Sequence, residues 1–292
     1  MKKSWLSRIS LSFSYLIVHM PQAVQFAIGD IIGILWFDVI RVRRNIVLSN
    51  LRLAFPDWTE AERVRVGRAS VCHLGRSFIE FWRLPMATAE QYSSQFIVSG
   101  VENIKIAQAR GKGVFVLASH IGNGDWASMG LALNGVFLNT ITKEFKWQAL
   151  NNFWFETRQK FGMGLIPDRR SSLMILKILK KNGLVCFVID QFLGPPIGVR
   201  TQFFGVETGA PMGLALLAER SGAAVVPALT YRDKEGRTVV EIEPEIPFVD
   251  TGDKDQNIKV NTQRYTDKIE EWVRRHPAQW MWVHRRWKEF RE

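Results

Sequence analysis

The strongest constraint on how this chain folds is a strand-like run that ends in a glycine turn and opens directly into a helix. Val114, Phe115, Val116, Leu117 and Ala118 form a short β-branched and apolar run of the kind that fills a buried strand. Ser119-His120-Ile121-Gly122-Asn123-Gly124-Asp125 follows, and residues 126–133 then read as helix. A strand that hands over to a helix through a tight turn belongs to an open α/β sheet. Ligands collect at the carboxyl ends of such strands, where helix N-termini point free N–H groups outward.

The rest of the chain predicts more of the same. Thr59-Glu60-Ala61-Glu62 has the form of a capping box opening a long helix to about Trp82. Further helices are expected over residues 101–110, 145–161, 171–181, 210–221 and 261–275, and strands over 138–142, 223–231 and 238–246. Residues 184–189 are almost continuously apolar, the pattern of a strand covered on both faces. The charged run 250–259 is expected to be a solvated loop. With no Pro/Gly/Ser-rich linker and no internal repeat, residues 46–292 read as one α/β domain, a mixed and mostly parallel central sheet flanked by helices.

Residues 1–45 read as a separate membrane-associated segment. Positions 9–29 contain no Asp, Glu, Lys or Arg, and apolar character continues to Phe37. A helix of that length reaches across most of a bilayer core. Ser10, Ser12, Ser14, His19, Pro21, Gln22 and Gln25 interrupt it, and basic residues stand on both sides, Lys2, Lys3 and Arg8 before and Arg41, Arg43 and Arg44 after. That symmetry leaves a single crossing without a preferred direction, whereas a monotopic or hairpin anchor keeps both clusters on one leaflet. No small-x-small cleavage site follows, so the segment reads as retained.

The formal net charge of +11 favours polyanionic partners: nucleic acid, anionic lipid headgroups or an acidic carrier protein. Eleven Trp and 47% hydrophobic residues lean toward the anionic membrane surface, because Trp concentrates at membrane interfaces. No zinc-finger spacing, RNP-like block or zipper supports nucleic acid, which is not expected as a partner. Cys72 and Cys186 form no CxxC, and the five histidines show no HExxH-like cluster. Neither a metal nor a cofactor is called for.

Four residues separate His120 from Asp125, a spacing that suits acyl transfer. A neutral imidazole can deprotonate a hydroxyl attacking a thioester, and a carboxylate can hold the ring in the right tautomer. By itself the pair reads rather as a turn histidine followed by an acid that caps the next helix. Asp190 ends a second apolar run, as His120 does, and equally suits the start of the turn after it.

Several blocks decide between these readings. Arg43-Arg44-Asn45-Ile46 with Asn50-Leu51 and Phe55-Pro56, then residues 118–123, Ile189-Asp190-Gln191, Phe203-Phe204-Gly205, Leu217-Ala218 with Val226-Pro227, and residues 279–288 stand in an order that covers most of the chain. In this the chain resembles the late acyltransferases of lipid A biosynthesis, within the lysophospholipid acyltransferase superfamily with its His-x4-Asp/Glu motif. The resemblance implies a glycerol-3-phosphate acyltransferase-like fold and a bacterial inner-membrane protein with its active site on the cytoplasmic face. It implies transfer of a fatty acyl chain from a thioester, acyl carrier protein favoured over CoA, to a hydroxyl of a lipid acceptor, with a lipid A precursor or related glycolipid leading. His120 is then the general base and Asp125 its partner. Asp190, Arg158 and Lys143 become substrate-binding candidates, with Arg285 and Arg286 facing substrate or membrane. Trp126, Met129, Phe145, Trp147, Phe153 and Trp154 are candidates to line an acyl channel.

One departure bears on substrate. Lipid A members usually carry Trp-Glu where this chain has Gly124-Asp125. The Asp form is shared with lysophospholipid and mannoside-type glycolipid acyltransferases using acyl-CoA, which form the alternative. Other readings are a thioesterase and a non-catalytic membrane- or nucleic-acid-binding protein.

Overall fold

The computed structural model describes residues 5–143, 146–288 and 290. Two N-terminal helices, α1 (Trp5–Val18) and α2 (Gln22–Ile34), meet at Pro21, and α2 runs on as a π-helical segment, Leu35–Ile40. Pro21 sits where proline is tolerated, just before a helix whose first N–H groups lack partners in any case. Two further helices, α3 (Arg44–Ala54) and α4 (Glu60–Arg83), and a single turn, α5 (Ala89–Tyr92), lead to the sheet. The capping box of α4 is formed, with the Thr59 hydroxyl accepting from the Glu62 N–H at 3.2 Å and the Glu62 carboxylate accepting from the Thr59 N–H at 2.7 Å.

Strands and helices then alternate: β1 (Phe96–Ser99), α6 (Val101–Gln108), β2 (Val114–Ala118), α7 (Gly124–Leu133), β3 (Leu138–Thr142), α8 (Gln148–Gln159), β4 (Gly164–Pro167), α9 (Ser172–Lys180) and β5 (Leu184–Val188). A hairpin of β6 (Gly198–Phe203) and β7 (Val206–Pro211) precedes α10 (Gly213–Ser221), β8 (Ala224–Arg232), β9 (Thr238–Ile242) and α11 (Lys254–Arg275). The seven-stranded sheet has the order β1-β9-β8-β2-β5-β3-β4. It is parallel from β8 through β4, while β9 runs antiparallel to β8 and parallel to β1.

The two central strands account for the core. Along β2, Phe115 and Leu117 pack with Val185, Phe187, Leu214, Ala215 and Trp272 on one face. Val114 and Val116 pack with Leu184, Cys186, Ile104, Ala107 and Leu131 on the other. Successive side chains point to opposite faces, so a strand buried on both must be apolar at every position.

Four local expectations change. Residues 210 and 211 belong to β7 rather than to a helix, because they complete the ladder with Gly198 and Val199. Helix α11 begins at Lys254, inside the expected loop: Asp253 caps it by accepting from the Gln256 N–H at 2.8 Å, and its charges face solvent. Residues 280–288, which carry Trp and Arg at roughly helical spacing, form instead an irregular segment that buries both Trp280 and Trp282. The apolar N-terminal stretch is broken at residues 19–21. The single helix long and apolar enough to cross a membrane among the described residues is Gln22–Ile40, with a mean hydropathy of 1.8.

Candidate active site

Register brings the site together. Ala118 of β2 pairs with Val188 of the adjacent parallel β5, so the residues two beyond each, His120 and Asp190, leave the sheet side by side. The ring nitrogen Nδ1 of His120 lies 2.7 Å from Asp190 Oδ1, and the His120 backbone N–H donates to Asp190 Oδ2 at 2.7 Å. The indole N–H of Trp280 donates to the same Oδ2 at 2.8 Å. Asp190 is 3% exposed and stays ionised there: burial alone would raise its pKa, but the His120 charge and these hydrogen bonds hold it well below the usual carboxylate range.

With Nδ1 carrying the proton donated to Asp190, Nε2 is left as the acceptor. It faces the Gln191 side-chain amide at 3.5 Å, and that amide nitrogen lies 3.3 Å from His284 Nε2. The two imidazoles are 5.3 Å apart. Burial disfavours the charged form of His120, yet the charge and hydrogen bond of Asp190, together with the field of Asp125, outweigh it and raise the pKa above histidine's ordinary value. Burial, reinforced by the neighbouring His120, pushes His284 the other way, down to about 4. The His120 side chain keeps 29% of its surface exposed, so Nε2 is reachable.

Two supports hold the turn. From below, the Asn123 carbonyl caps α7 by accepting from the Trp126 N–H, while its amide donates to Glu80 at 2.9 Å and to the Ser77 carbonyl at 3.1 Å. Glu80 is itself buried against Arg232 at 2.5 Å. From above, the C-terminal segment lies along the turn: the Gly122 N–H donates to the Gln279 carbonyl, the Met281 N–H to the His120 carbonyl, and Ile121 bridges Trp280. Asn50 of α3 fastens that segment by donating to the Trp282 and His284 carbonyls at 2.8 and 2.6 Å. Glycine is required at position 122, where φ is +67° and a Cβ would stand 2.6 Å from the Thr230 carbonyl oxygen.

The carboxylate against His120 is therefore Asp190, and the expectation that Asp125 plays this part is corrected. Asp125 lies in the first turn of α7 and accepts both arms of Arg158 from α8, Nε at 2.7 Å and Nη2 at 3.1 Å. Arg158 also donates to Thr142 at 3.0 Å and stacks over Trp154. It is thus spent on Asp125 rather than standing free beside His120.

Arg286, expected to face substrate or membrane, is 1% exposed. Its guanidinium donates to the carbonyls of Gly209 and Gln191 and lies over the Phe203 ring, because a buried cation must find acceptors in the backbone around it. Arg285 is exposed, and Lys143 is exposed in the loop after β3. Of the channel candidates, Trp126 and Met129 are buried in the core, Phe153 and Trp154 pack against that same cluster, and Trp147 is 78% exposed. Phe145 lies outside the described residues. Among the described residues no group of three His, Cys, Asp or Glu side chains is placed to hold a metal ion. A cavity of about 700 Å³ lined by Arg110, Glu219, Glu245 and Asn257 opens at the opposite edge of the sheet, away from His120. Gln191, His284 and Trp280 were not among the expected site residues, although each falls in a block that carries the resemblance.

A basic imidazole at the carboxyl edge of a mostly parallel sheet, oriented by a buried aspartate, suits the deprotonation of a hydroxyl that acyl transfer requires. The sequence matches the family described as bacterial lipid A biosynthesis acyltransferase over residues 1–289, and the chain belongs to that family. It is 27% identical to the lipid A biosynthesis lauroyltransferase of Escherichia coli strain K12, over 97% of this chain and 92% of the relative. It is 29% identical to the palmitoleoyltransferase of the same strain, over 97% and 91%. A phosphatidylinositol mannoside acyltransferase of Mycobacterium tuberculosis is 27% identical over 75% of this chain and 69% of the relative. The protein is an O-acyltransferase of lipopolysaccharide biosynthesis, and its apolar N-terminal helix supports membrane association.

Proposed function

We propose that the protein transfers a fatty acyl chain from acyl carrier protein to a hydroxyl of a lipid A precursor or closely related glycolipid, at the cytoplasmic face of a bacterial inner membrane. The observation that carries this reading is the bond between His120 Nδ1 and Asp190, which leaves Nε2 with a lone pair to accept a proton. In the reaction the acceptor hydroxyl gives its proton to Nε2 as its oxygen attacks the thioester carbonyl. The C–O bond forms, the tetrahedral oxyanion collapses with loss of the C–S bond, and the imidazolium returns the proton to the departing thiolate. Asp190 stabilises the imidazolium between these steps, and the Gln191 amide is the neutral donor poised for the oxyanion. The Asp125–Arg158 pair holds α7 to α8 beside the site, and the Asp125 carboxylate, the nearer charge to His120, weakly favours the imidazolium.

The names of the Escherichia coli relatives support the acceptor class, and the net charge of +11 suits an acidic carrier as donor. A mannoside-type glycolipid acceptor with acyl-CoA as donor is the second reading, favoured by the mycobacterial relative and by Asp at position 125. Purified His120→Ala should lose on the order of 10²–10⁴-fold in transfer rate while keeping its circular dichroism spectrum. Near-normal transfer by that variant would remove His120 from the role of base. Acyl carrier protein and CoA thioesters, offered in competition with lipid A precursor and mannoside acceptors, separate the two readings.

A further inference from the structure

The helix Gln22–Ile40 is built inside out. Its polar side chains turn toward the protein: Gln25 is buried and accepts from Arg83, Asp30 takes Arg76 at 2.6 and 2.5 Å, and Asp38 takes Arg68 at 2.6 and 3.1 Å. All three arginines belong to α4. Gly29 and Gly33 share this inward face and let the two backbones close up. A Cβ at Gly33 would stand 2.3 Å from the Cys72 Cα, and one at Gly75 would stand 2.1 Å from the Gly29 carbonyl oxygen. Outward, Val24, Ile31, Ile34, Leu35, Val39 and Ile40 form an unbroken apolar stripe, each between 43% and 67% exposed. Tyr15 and Leu16 of α1 are likewise more than half exposed, and the exposed Arg41 and Arg43 follow the helix.

An apolar surface of this extent needs a cover. Nineteen residues at about 1.5 Å each would span a bilayer core by length alone. Crossing, however, would draw the helix packed on it, α4, into the bilayer as well. That 24-residue helix carries Arg65, Arg68 and Arg76, and through Ser77 and Glu80 it is fastened to the active-site turn. Freeing α2 to cross would strand Asp30, Asp38 and Gln25 in lipid and leave their arginines unpaired.

We propose that this helix does not cross the bilayer but lies in the plane of one leaflet as a monotopic anchor. Its glycine and carboxylate face stays on α4, its apolar stripe enters the acyl chains, and Arg41 and Arg43 meet anionic headgroups. Charge decides for lipid over a second copy of the chain, since two chains of net charge +11 repel each other while an anionic leaflet attracts both. The arrangement also places the chemistry. Gln22, at the start of the helix, donates to the Gly236 carbonyl in the β8–β9 turn, on the same sheet edge as His120. An anchor lying flat therefore keeps the catalytic edge at the lipid surface.

The test places one cysteine at each end of the helix in the full chain, His19→Cys and Val42→Cys, and treats inside-out and right-side-out membrane vesicles with a membrane-impermeant maleimide, the parent chain giving the background. Both positions should label from the same side, at least tenfold over the other; labelling from opposite sides overturns the proposal. Ile31→Asp combined with Val39→Asp should lower partitioning into vesicles of mixed zwitterionic and anionic lipid at least tenfold with an unchanged circular dichroism spectrum. Undiminished partitioning overturns the proposal, as does conversion of a dimer to a monomer without loss of vesicle binding.

Discussion

His120 and Asp190 titrate against each other, and the signs can be worked out separately. The folded pKa of His120 is raised, so its interaction with Asp190 stabilises the fold fully below the unfolded value of about 6.5 and fades as pH rises through the folded value. Asp190 is depressed, so its contribution is present above the unfolded value of about 3.9 and is lost only as pH falls through the lowered one. Catalysis needs neutral His120, so the rate should climb with pH through the raised pKa. Replacing Asp190 by Asn removes the main raising influence and leaves burial, which lowers, opposed only by the weaker field of Asp125. The acidic limb of the kcat/KM profile of Asp190→Asn should therefore move to lower pH while the maximum drops on the order of 10²–10⁴-fold. A limb that stays in place would mean that another group sets the histidine. His284, held down to about 4, remains neutral through this range and contributes no limb of its own.

At the scale of elements, Asp125 and Arg158 join the first turn of α7 to the last turn of α8 across side chains only 17% and 15% exposed. Removing one partner leaves the other ionised and poorly solvated, so Asp125→Ala should cost about 3 kcal/mol in urea unfolding. Arg158→Met in the same background should return part of that loss, since the unpaired cation is then gone. Recovery of stability without recovery of transfer would show that the pair also serves the reaction. The α2–α4 contact behaves differently at its glycines, where backbone meets backbone. Gly33→Leu has no side chain to push aside, and thermal unfolding should begin at lower temperature with α2 leaving first.

For the whole molecule, charge and apolar surface act on the same partner. The outward stripe supplies affinity that salt leaves intact, whereas Arg41, Arg43 and the general excess of cations supply affinity that salt screens. Binding to vesicles rich in anionic lipid should therefore weaken between about 0.05 and 0.5 M salt and level off at the binding seen with neutral vesicles. Salt-independent binding to anionic vesicles would assign attachment to the stripe alone.

The pattern of the chain was enough to place β2, β3 and β5, the capped helix α4, and the turn that carries His120, because each rests on local rules: apolar runs, glycine punctuation and the Thr-x-x-Glu cap. Asp190 was legible as the end of a second buried strand. What no local rule contained was the pairing. Asp125 is near His120 in sequence but begins a helix that turns it toward Arg158, while Asp190, seventy residues away, is delivered by strand register. The same holds for Arg286, which reads as a cation facing substrate or membrane and is buried because Gly209 and Gln191 offer it carbonyls. It holds equally for the N-terminal helix, whose composition permits a crossing and whose carboxylates and glycines are taken up by α4. Hydrophobic period and turn chemistry are written residue by residue, whereas which charges meet depends on which strands and helices become neighbours, and only the folded chain decides that.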